Sequence, residues 1–337
     1  MRQTIFILFM IMATTSTAQT EFIRECGQHA FPKTVPPGNY SGITHIEKNR
    51  YAIVSDKSEN NGFYVFSINI DSISGEINDA SLESFRGDSC RGGDCEGIAY
   101  IPESSTFFIS RESDATIAEY DSTGNTTGKT LEIPAIYKSG MGNYGFESLA
   151  YDRQSRLLWT INESTLHGDG PQATSNNGAA NILRLQSFGD DLRPMAQYAY
   201  KMDKPEAHSK SSQYAMGVSE VATLDNGRLL ILEREFFVPK AKLGAFVQCK
   251  LYEITPSKEY EIPLDGEINE QTKILPKRLI HSFKTKLQLF KNSIANYEGM
   301  CVGPKLKDGS TVLILVSDSQ NQYAGVLKDW FKTIVIR

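Results

Sequence analysis

The stretch Cys95-Glu96-Gly97-Ile98-Ala99-Tyr100 opens a short apolar segment with a carboxylate, and Phe107-Phe108-Ile109-Ser110-Arg111-Glu112 ends the next one in charged residues. The pattern recurs four more times, at 41–57, 146–163, 218–235 and 297–318. Glu147 and Glu298 stand where Glu96 does, whereas the copy at 41–57 begins with Ser41-Gly42. Recurrence over most of the chain indicates a repeat architecture, in which each repeat is one structural unit.

The segments within each repeat predict β-strands. Most are four to eight residues long, rich in Ile, Val, Tyr, Phe and Leu, and bounded by Gly, Asp, Asn, Ser or Pro. Four strands per repeat, arranged around an axis, predict an all-β fold, a β-propeller of four-stranded blades. The last repeat lacks a fourth strand, which residues 21–31 would supply, closing the ring with both chain ends in one blade. We therefore expect five blades, or six if 247–283 forms a blade of its own.

The N-terminus has the features of a secretory signal peptide. Arg2 precedes an apolar run from Ile5 to Ala13 and the small residues up to Ala18. We predict residues 1–18 as the signal, with cleavage after Ala18, and 19–337 as one exported domain, secreted or periplasmic. The run is too short to span a membrane. The net charge is −5, or −6 once Arg2 leaves (−5 − 1), and without a basic block nucleic acid is a poor partner. We expect a monomer.

Cysteines allow one local disulfide. The chain has 5 cysteines, so at least one thiol stays unpaired within a monomer. Cys90 and Cys95 flank a short Gly-rich loop and would either join there or remain two buried thiols. No Cys/His spacing typical of zinc is present.

One face of the predicted disc collects charged residues. The start of a blade's first strand and the end of its second lie on the same face, at one mouth of the central channel. The longer connections, such as 164–178 and 205–216, leave from this face, which makes it the expected functional face. The acids expected there include Glu96, Glu147, Glu220 and Glu298 at strand starts. Those at strand ends include Glu112, Glu163, Glu233 and Asp318.

Two interpretations of these acids stay open. Each repeat Glu could fix its strand by accepting backbone N–H bonds. Alternatively, converging carboxylates repel one another and would be relieved by arginine, by protonation or by a hard cation. Calcium, which prefers six to eight oxygen ligands, is the expected divalent cation. A cation and arginines would together attract an anionic substrate such as a phosphate ester.

The repeat phrases resemble the phytase-like family described as "esterase-like activity of phytase". The resemblance rests on Glu96-Gly97-Ile98-Ala99, Ser110-Arg111-Glu112, Gly145 to Ala150, Leu232-Glu233-Arg234-Glu235 and Tyr297-Glu298-Gly299-Met300, with Ser317-Asp318-Ser319 behind the last. It covers nearly the whole mature chain and implies a secreted β-propeller that hydrolyses phosphate or other esters. The first repeat departs from the pattern at Ser41-Gly42.

We therefore predict a cation-dependent phosphate-ester hydrolase. The residues assigned to catalysis are Glu112, Glu163 and Glu233. Those assigned to the substrate are Arg91, Arg111, Arg234 and His167, and those assigned to the cation are Glu96, Glu147, Glu298 and Asp318.

Two alternatives remain. A non-catalytic propeller would bind a protein or glycan through loop aromatics, among them Tyr144, Tyr214, Phe236, Phe237, Tyr323 and Trp330. A glycosidase would use two of the carboxylates as acid and nucleophile or base.

Overall fold

The computed structural model describes residues 19–91, 93–112, 114–140, 145–287 and 293–337, with the side chains at 89–91, 138–140 and 324 left out. Five antiparallel sheets form a five-bladed β-propeller, as the repeats predict. Strands are numbered in chain order and blades from the first repeat.

The blades have the following strands. Blade 1 contains β2 (Tyr40–Glu47), β3 (Arg50–Ser55), β4 (Asn60–Ile70) and β5 (Ile77–Arg91). Blade 2 contains β6 (Cys95–Ile101), β7 (Thr106–Arg111), β8 (Thr116–Tyr120) and β9 (Thr126–Thr130). Blade 3 contains β10 (Ala150–Asp152), β11 (Leu157–Ile161), β12 (Ile182–Phe188), β13 (Pro194–Lys201) and the short β17 (Glu261–Ile262).

Blade 4 contains β14 (Ser211–Thr223), β15 (Leu229–Pro239), β16 (Phe246–Ile254) and β18 (Lys277–Lys286). Blade 5 contains β19 (Asn296–Lys305), β20 (Thr311–Asp318), β21 (Phe331–Ile336) and β1 (Phe22–His29). A short helix, α1 (Ala135–Gly140), follows blade 2.

The chain ends close the ring within blade 5. Strand β1 pairs antiparallel with β21, and the amides of Glu21 and Arg337 each donate to the other's carbonyl, at 2.7 and 2.9 Å. This pairing covers an edge that β21 would otherwise expose. The predicted closure by residues 21–31 is confirmed.

The inner strands surround the axis, and the core lies between the blades. Each inner strand contacts the next around the ring, in the order β2, β6, β10, β14, β19 and back to β2. Five apolar clusters fill the five interfaces between neighbouring blades. Every interface between blades therefore buries an apolar cluster, and the inner strand ends are held on a rigid frame.

Some expectations need correction. Residues 247–283 do not form a sixth blade, because β16 and β18 pair with each other inside blade 4. Strand β14 also begins within the loop predicted at 205–216, since Ser211 already pairs with Pro239 of β15.

Cysteines are free where the structure describes them. Cys26, Cys95, Cys249 and Cys301 are buried thiols, and the side chain of Cys90 is outside the described set. Within the described residues, no helix has the length and apolar character needed to cross a membrane.

Candidate functional site

Bulges at the starts of inner strands decide which side chains face the mouth. In β19, Tyr297 pairs with Ser317 and Gly299 with Val316, which leaves Glu298 as the extra residue. Such a bulge re-aims the side chain that it carries. Register shifts at the corresponding positions of β2, β6 and β14 repeat the device. The mouth is therefore built by backbone irregularity at corresponding places in four of the five inner strands.

Arg234, in the middle of β15, lies at the centre of the mouth. Its Nη1 donates to Glu298 Oε1 at 2.5 Å and to Asn296 Oδ1 at 2.9 Å, and its Nη2 donates to Glu163 Oε1 at 2.7 Å. Asn296 also donates to Glu298, at 2.8 Å. The guanidinium, only 5% exposed, joins carboxylates from blades 3 and 5. Charged, buried hydrogen bonds of this kind hold their partners strongly in place.

Seven carboxylates interact around this arginine, and together we call them the acidic mouth. They are Asp56, Glu96, Glu112, Glu147, Glu163, Glu298 and Asp318. Lys57 pairs with Asp56 at the rim. With Arg234 inside, two cations in the described part of the chain face seven acids. Most of the negative charge is therefore not balanced by ion pairs.

Because of burial, and because the negative charge is not balanced, several of these acids have raised pKa values and bind protons more tightly than ordinary carboxylates. Burial, reinforced by neighbouring carboxylates, raises the pKa of Glu298 to about 8 even though Arg234 opposes the shift. The same causes raise the pKa of Glu112 to about 7 and that of Asp318 to about 6. Glu96 and Glu147 have pKa values well above the ordinary range, again chiefly through burial. Several of these groups are therefore able to hold a proton near neutral pH.

The oxygen donors suit a hard cation, but they are not assembled as a finished site. Carboxylate and amide oxygens are the ligands that calcium prefers. However, no three His, Cys, Asp or Glu side chains of the described residues are grouped closely enough to hold a metal ion. Arg234 takes the position between Glu163 and Glu298.

Glu220 differs from the other repeat acids. The bulge in β14 lies between Val218 and Glu220, so Ser219 takes the place that Glu298 has in β19. Glu220 is fully buried, and its Oε1 accepts the amides of Leu149 at 3.3 Å and Val221 at 3.0 Å. Burial outweighs these bonds and raises its pKa. The prediction that Glu220 lies at the mouth is wrong. Glu220 instead accepts backbone N–H bonds, which was the first of the two interpretations of the repeat acids.

Glu233 lies away from the acidic mouth. Its carboxylate accepts from Tyr200 at 2.7 Å and from the amide of Asp203 at 3.3 Å, and it pairs with Lys277 at 2.5 Å. These partners come from β13 of blade 3, the segment that follows it, and β18 of blade 4. Because neighbouring residues in a strand face opposite sides, Glu233 points away from the side that carries Arg234.

Other predicted site residues are also separate from the mouth. Arg111 pairs with Asp114, and its charge acts on Cys95 and Tyr120 rather than on the central acids. His167 is exposed in the loop after β11. The side chain of Arg91 lies outside the described set. The structure thus brings together Glu112, Glu163 and Arg234 with the four residues assigned to a cation.

The loop aromatics are mostly turned inward. Phe236 and Phe237 are each 6% exposed, and Tyr214 donates to Glu235 at 3.2 Å. Trp330 donates to the carbonyl of Ile294 at 3.2 Å, whereas Tyr323 is exposed. Tyr144 lies outside the described residues. Acids, rather than these rings, line the mouth.

Sequence reasoning missed two contributors. Asn296 supports both Arg234 and Glu298, and its position two residues before the repeat Glu is the available signal. A polar cavity of about 490 Å³ also opens beside Glu163, between the loop after β11 and the projecting ends of β14 and β15. The sequence feature that could have indicated this cavity is the length of the loop at 164–178.

Comparisons with known proteins give one family model and several similar solved structures. A family model, "Phytase-like: Esterase-like activity of phytase", matches residues 35–320. A luciferin-regenerating enzyme is similar at 12% identity and a TM-score of 0.44, covering 92% of this chain and 94% of that one. A duf4221 family member from Bacteroides vulgatus is similar at 10% identity and a TM-score of 0.40, with 94% and 98% covered. No curated protein sequence matches the chain.

Proposed function

Since the chain belongs to the phytase-like family, we propose that it is an exported hydrolase of phosphate or related esters, acting at the acidic mouth with a divalent cation. The observation that carries the proposal is the set of buried carboxylates around Arg234, whose charge is largely unbalanced and which adjoins a polar cavity. A cation would relieve the repulsion and attract an anionic ester.

Glu112 is the proposed proton acceptor. Its pKa of about 7 leaves it partly ionised at neutral pH, and it is only half-buried, so water can reach it. In hydrolysis Glu112 would take one proton from water as the water oxygen bonds to the phosphorus or acyl centre. The bond from that centre to the ester oxygen would break, and this oxygen would leave with the bonding pair and take up a proton from solvent to give the alcohol. A base whose pKa lies near the working pH is the most effective in this role.

Glu163 and Arg234 have supporting roles in this proposal. Glu163 is held by Arg234 at 2.7 Å and is thereby fixed in its orientation. Arg234 has three oxygen partners, so it positions Glu163 and Glu298 instead of receiving phosphate directly. If calcium binds, Glu96, Glu147, Glu298 and Asp318 would hold it, supplying a charge that polarises the ester.

The test is a substrate panel with a matched variant. Purified mature protein would be assayed on phosphate monoesters, carboxylic esters and glycans, with calcium or with a chelator, from pH 5 to 9. We expect ester hydrolysis that needs calcium and falls about 100-fold or more in Glu112→Gln. Glu270→Gln, at an exposed site in another part of the chain, should be fully active.

Two outcomes would overturn the proposal. One is the absence of activity on every ester with calcium present, and the other is full activity in Glu112→Gln. Cleavage of glycans alone would instead support the carboxylate-pair glycosidase.

A further inference from the structure

The cavity beside Glu163 has three walls from different parts of the fold. One is the loop after β11, from Ser164 to Asn176; the second is the projecting start of β14 with the preceding Lys210; the third is Lys240, at the end of β15. Its volume of about 490 Å³ is in the range of small-molecule sites. Glu163 belongs both to this cavity and to the acidic mouth, so the two regions are continuous.

Hydrogen bonds hold the loop wall in place. The hydroxyls of Ser175 and Ser211 are 3.1 Å apart and join the loop to β14. Gln172 accepts the amide of Thr165 at 2.9 Å, and the amide of Ala173 donates to Asn181 at 2.6 Å. Because the loop is fixed on both sides, the cavity is a formed feature and needs little rearrangement to accept a ligand.

The charge of the cavity is opposite to that of the mouth. Lys210 and Lys240 are exposed at its rim, and neither has an ion-pair partner among the described residues. The lining carries one carboxylate, Glu163, against these two lysines, and Glu163 is itself paired with Arg234, which it shares with Glu298. The remaining lining groups are mainly hydroxyls and amides, which pair well with sugar or polyol hydroxyls. The cavity is thus cationic and rich in hydrogen-bonding groups.

We propose that this cavity binds a hydroxyl-rich small molecule that carries an anionic group, with Lys210 and Lys240 receiving that group. The idea that the cavity selects substrates for the acidic mouth rests on the proposed function. The binding of such a molecule to the cavity does not. The ligand would lie with its anionic end at the lysines and its other end toward Glu163. The lysines would then decide which compounds bind, by favouring those with a negative charge away from the mouth.

The test measures binding in the presence of a chelator, without any reaction. Calorimetry would compare glucuronate, glucose 6-phosphate and glucose, which share a ring but differ in charge and in the type of anion. We expect both anions to bind roughly tenfold or more tightly than glucose, with affinity falling as salt rises. The variant Lys210→Gln/Lys240→Gln should lose this preference, whereas Lys305→Gln, an exposed lysine on a different strand end, should retain it.

The results separate the two proposals. Equal affinity for glucose and for both anions, or an unchanged preference in the double variant, would refute an anion-binding cavity. Preference for only one anion would identify that group as the ligand's. Because glucuronate carries no ester, its binding can be positive even if no ester is ever hydrolysed, and hydrolysis can be observed even if these lysines prove irrelevant.

Discussion

Raising the pH of the cation-free protein from about 5 to about 9 should lower its free energy of unfolding. The pKa values of Glu298 and Asp318 are raised in the folded state, to about 8 and about 6. In the unfolded chain both return to ordinary values near 4. Between these limits the folded state binds more protons than the unfolded state, so stability is fully present at low pH and is lost as pH rises.

The expected loss is a substantial part of the stability of a domain. Asp318 is 4% exposed, and its shift from 3.8 to about 6 corresponds to about 3 kcal/mol in total, of which about 1 kcal/mol is lost above pH 5. Glu298 acts in the same direction, but a proton on either acid weakens the repulsion felt by the other, so the two contributions do not simply add. We expect a combined loss on the order of 5 kcal/mol, against typical total stabilities of about 5–15 kcal/mol.

Urea unfolding at intervals of one pH unit, with a chelator present, would measure this. Glu298→Gln, which keeps the shape but cannot ionise, should make the fall with pH smaller, whereas Glu270→Gln should reproduce the wild type. A free energy of unfolding that stays constant or rises between pH 5 and 9 would refute the conclusion that the carboxylates of the mouth are not balanced by positive charge.

Four further predictions concern single features. Calcium should raise the melting temperature more at pH 8 than at pH 5, since protons compete for the same carboxylates, and equal shifts would count against a site there. Gly217→Ala should destabilise by about 1–3 kcal/mol in urea unfolding, because its Cβ would lie 2.4 Å from Glu163 Cγ; an unchanged midpoint would contradict this. Glu220→Ala should be less stable than Glu220→Gln, which can still accept the backbone amides; equal stabilities would argue against that role. Glu25→Gln should flatten the loss of stability on acidification below pH 4.5, because bonds from His281 and Lys332 hold the pKa of Glu25 at about 2; an unaltered acid limb would contradict it.

The ring of blades could be predicted from the sequence, but the direction in which each acidic side chain points could not. The recurring acid-Gly phrase at Glu96 and Glu298 predicts blades, and the missing last strand predicts closure by residues 21–31. Grouping Glu233 with Arg234 at the mouth was wrong, although strand alternation alone separates such neighbours. The position of Glu220 could not be predicted, because one bulged residue shifts the register and no local signal marks it.

The acids of this chain fall into two groups with opposite electrostatic surroundings. Away from the mouth, Glu253 lies between Arg228 and Arg278, at 2.9 and 2.8 Å. Asp203 lies between two lysines, Lys250 and Lys277. For both acids burial acts to raise the pKa, but hydrogen bonds and the positive charges outweigh it and the pKa is lowered. The fold can therefore supply a cation for a carboxylate where only stability is concerned. At the mouth, seven carboxylates face Arg234 and one rim lysine, and the shifts run upward. That arrangement costs stability near neutral pH, and this is the cost that the cation of the proposed function would relieve.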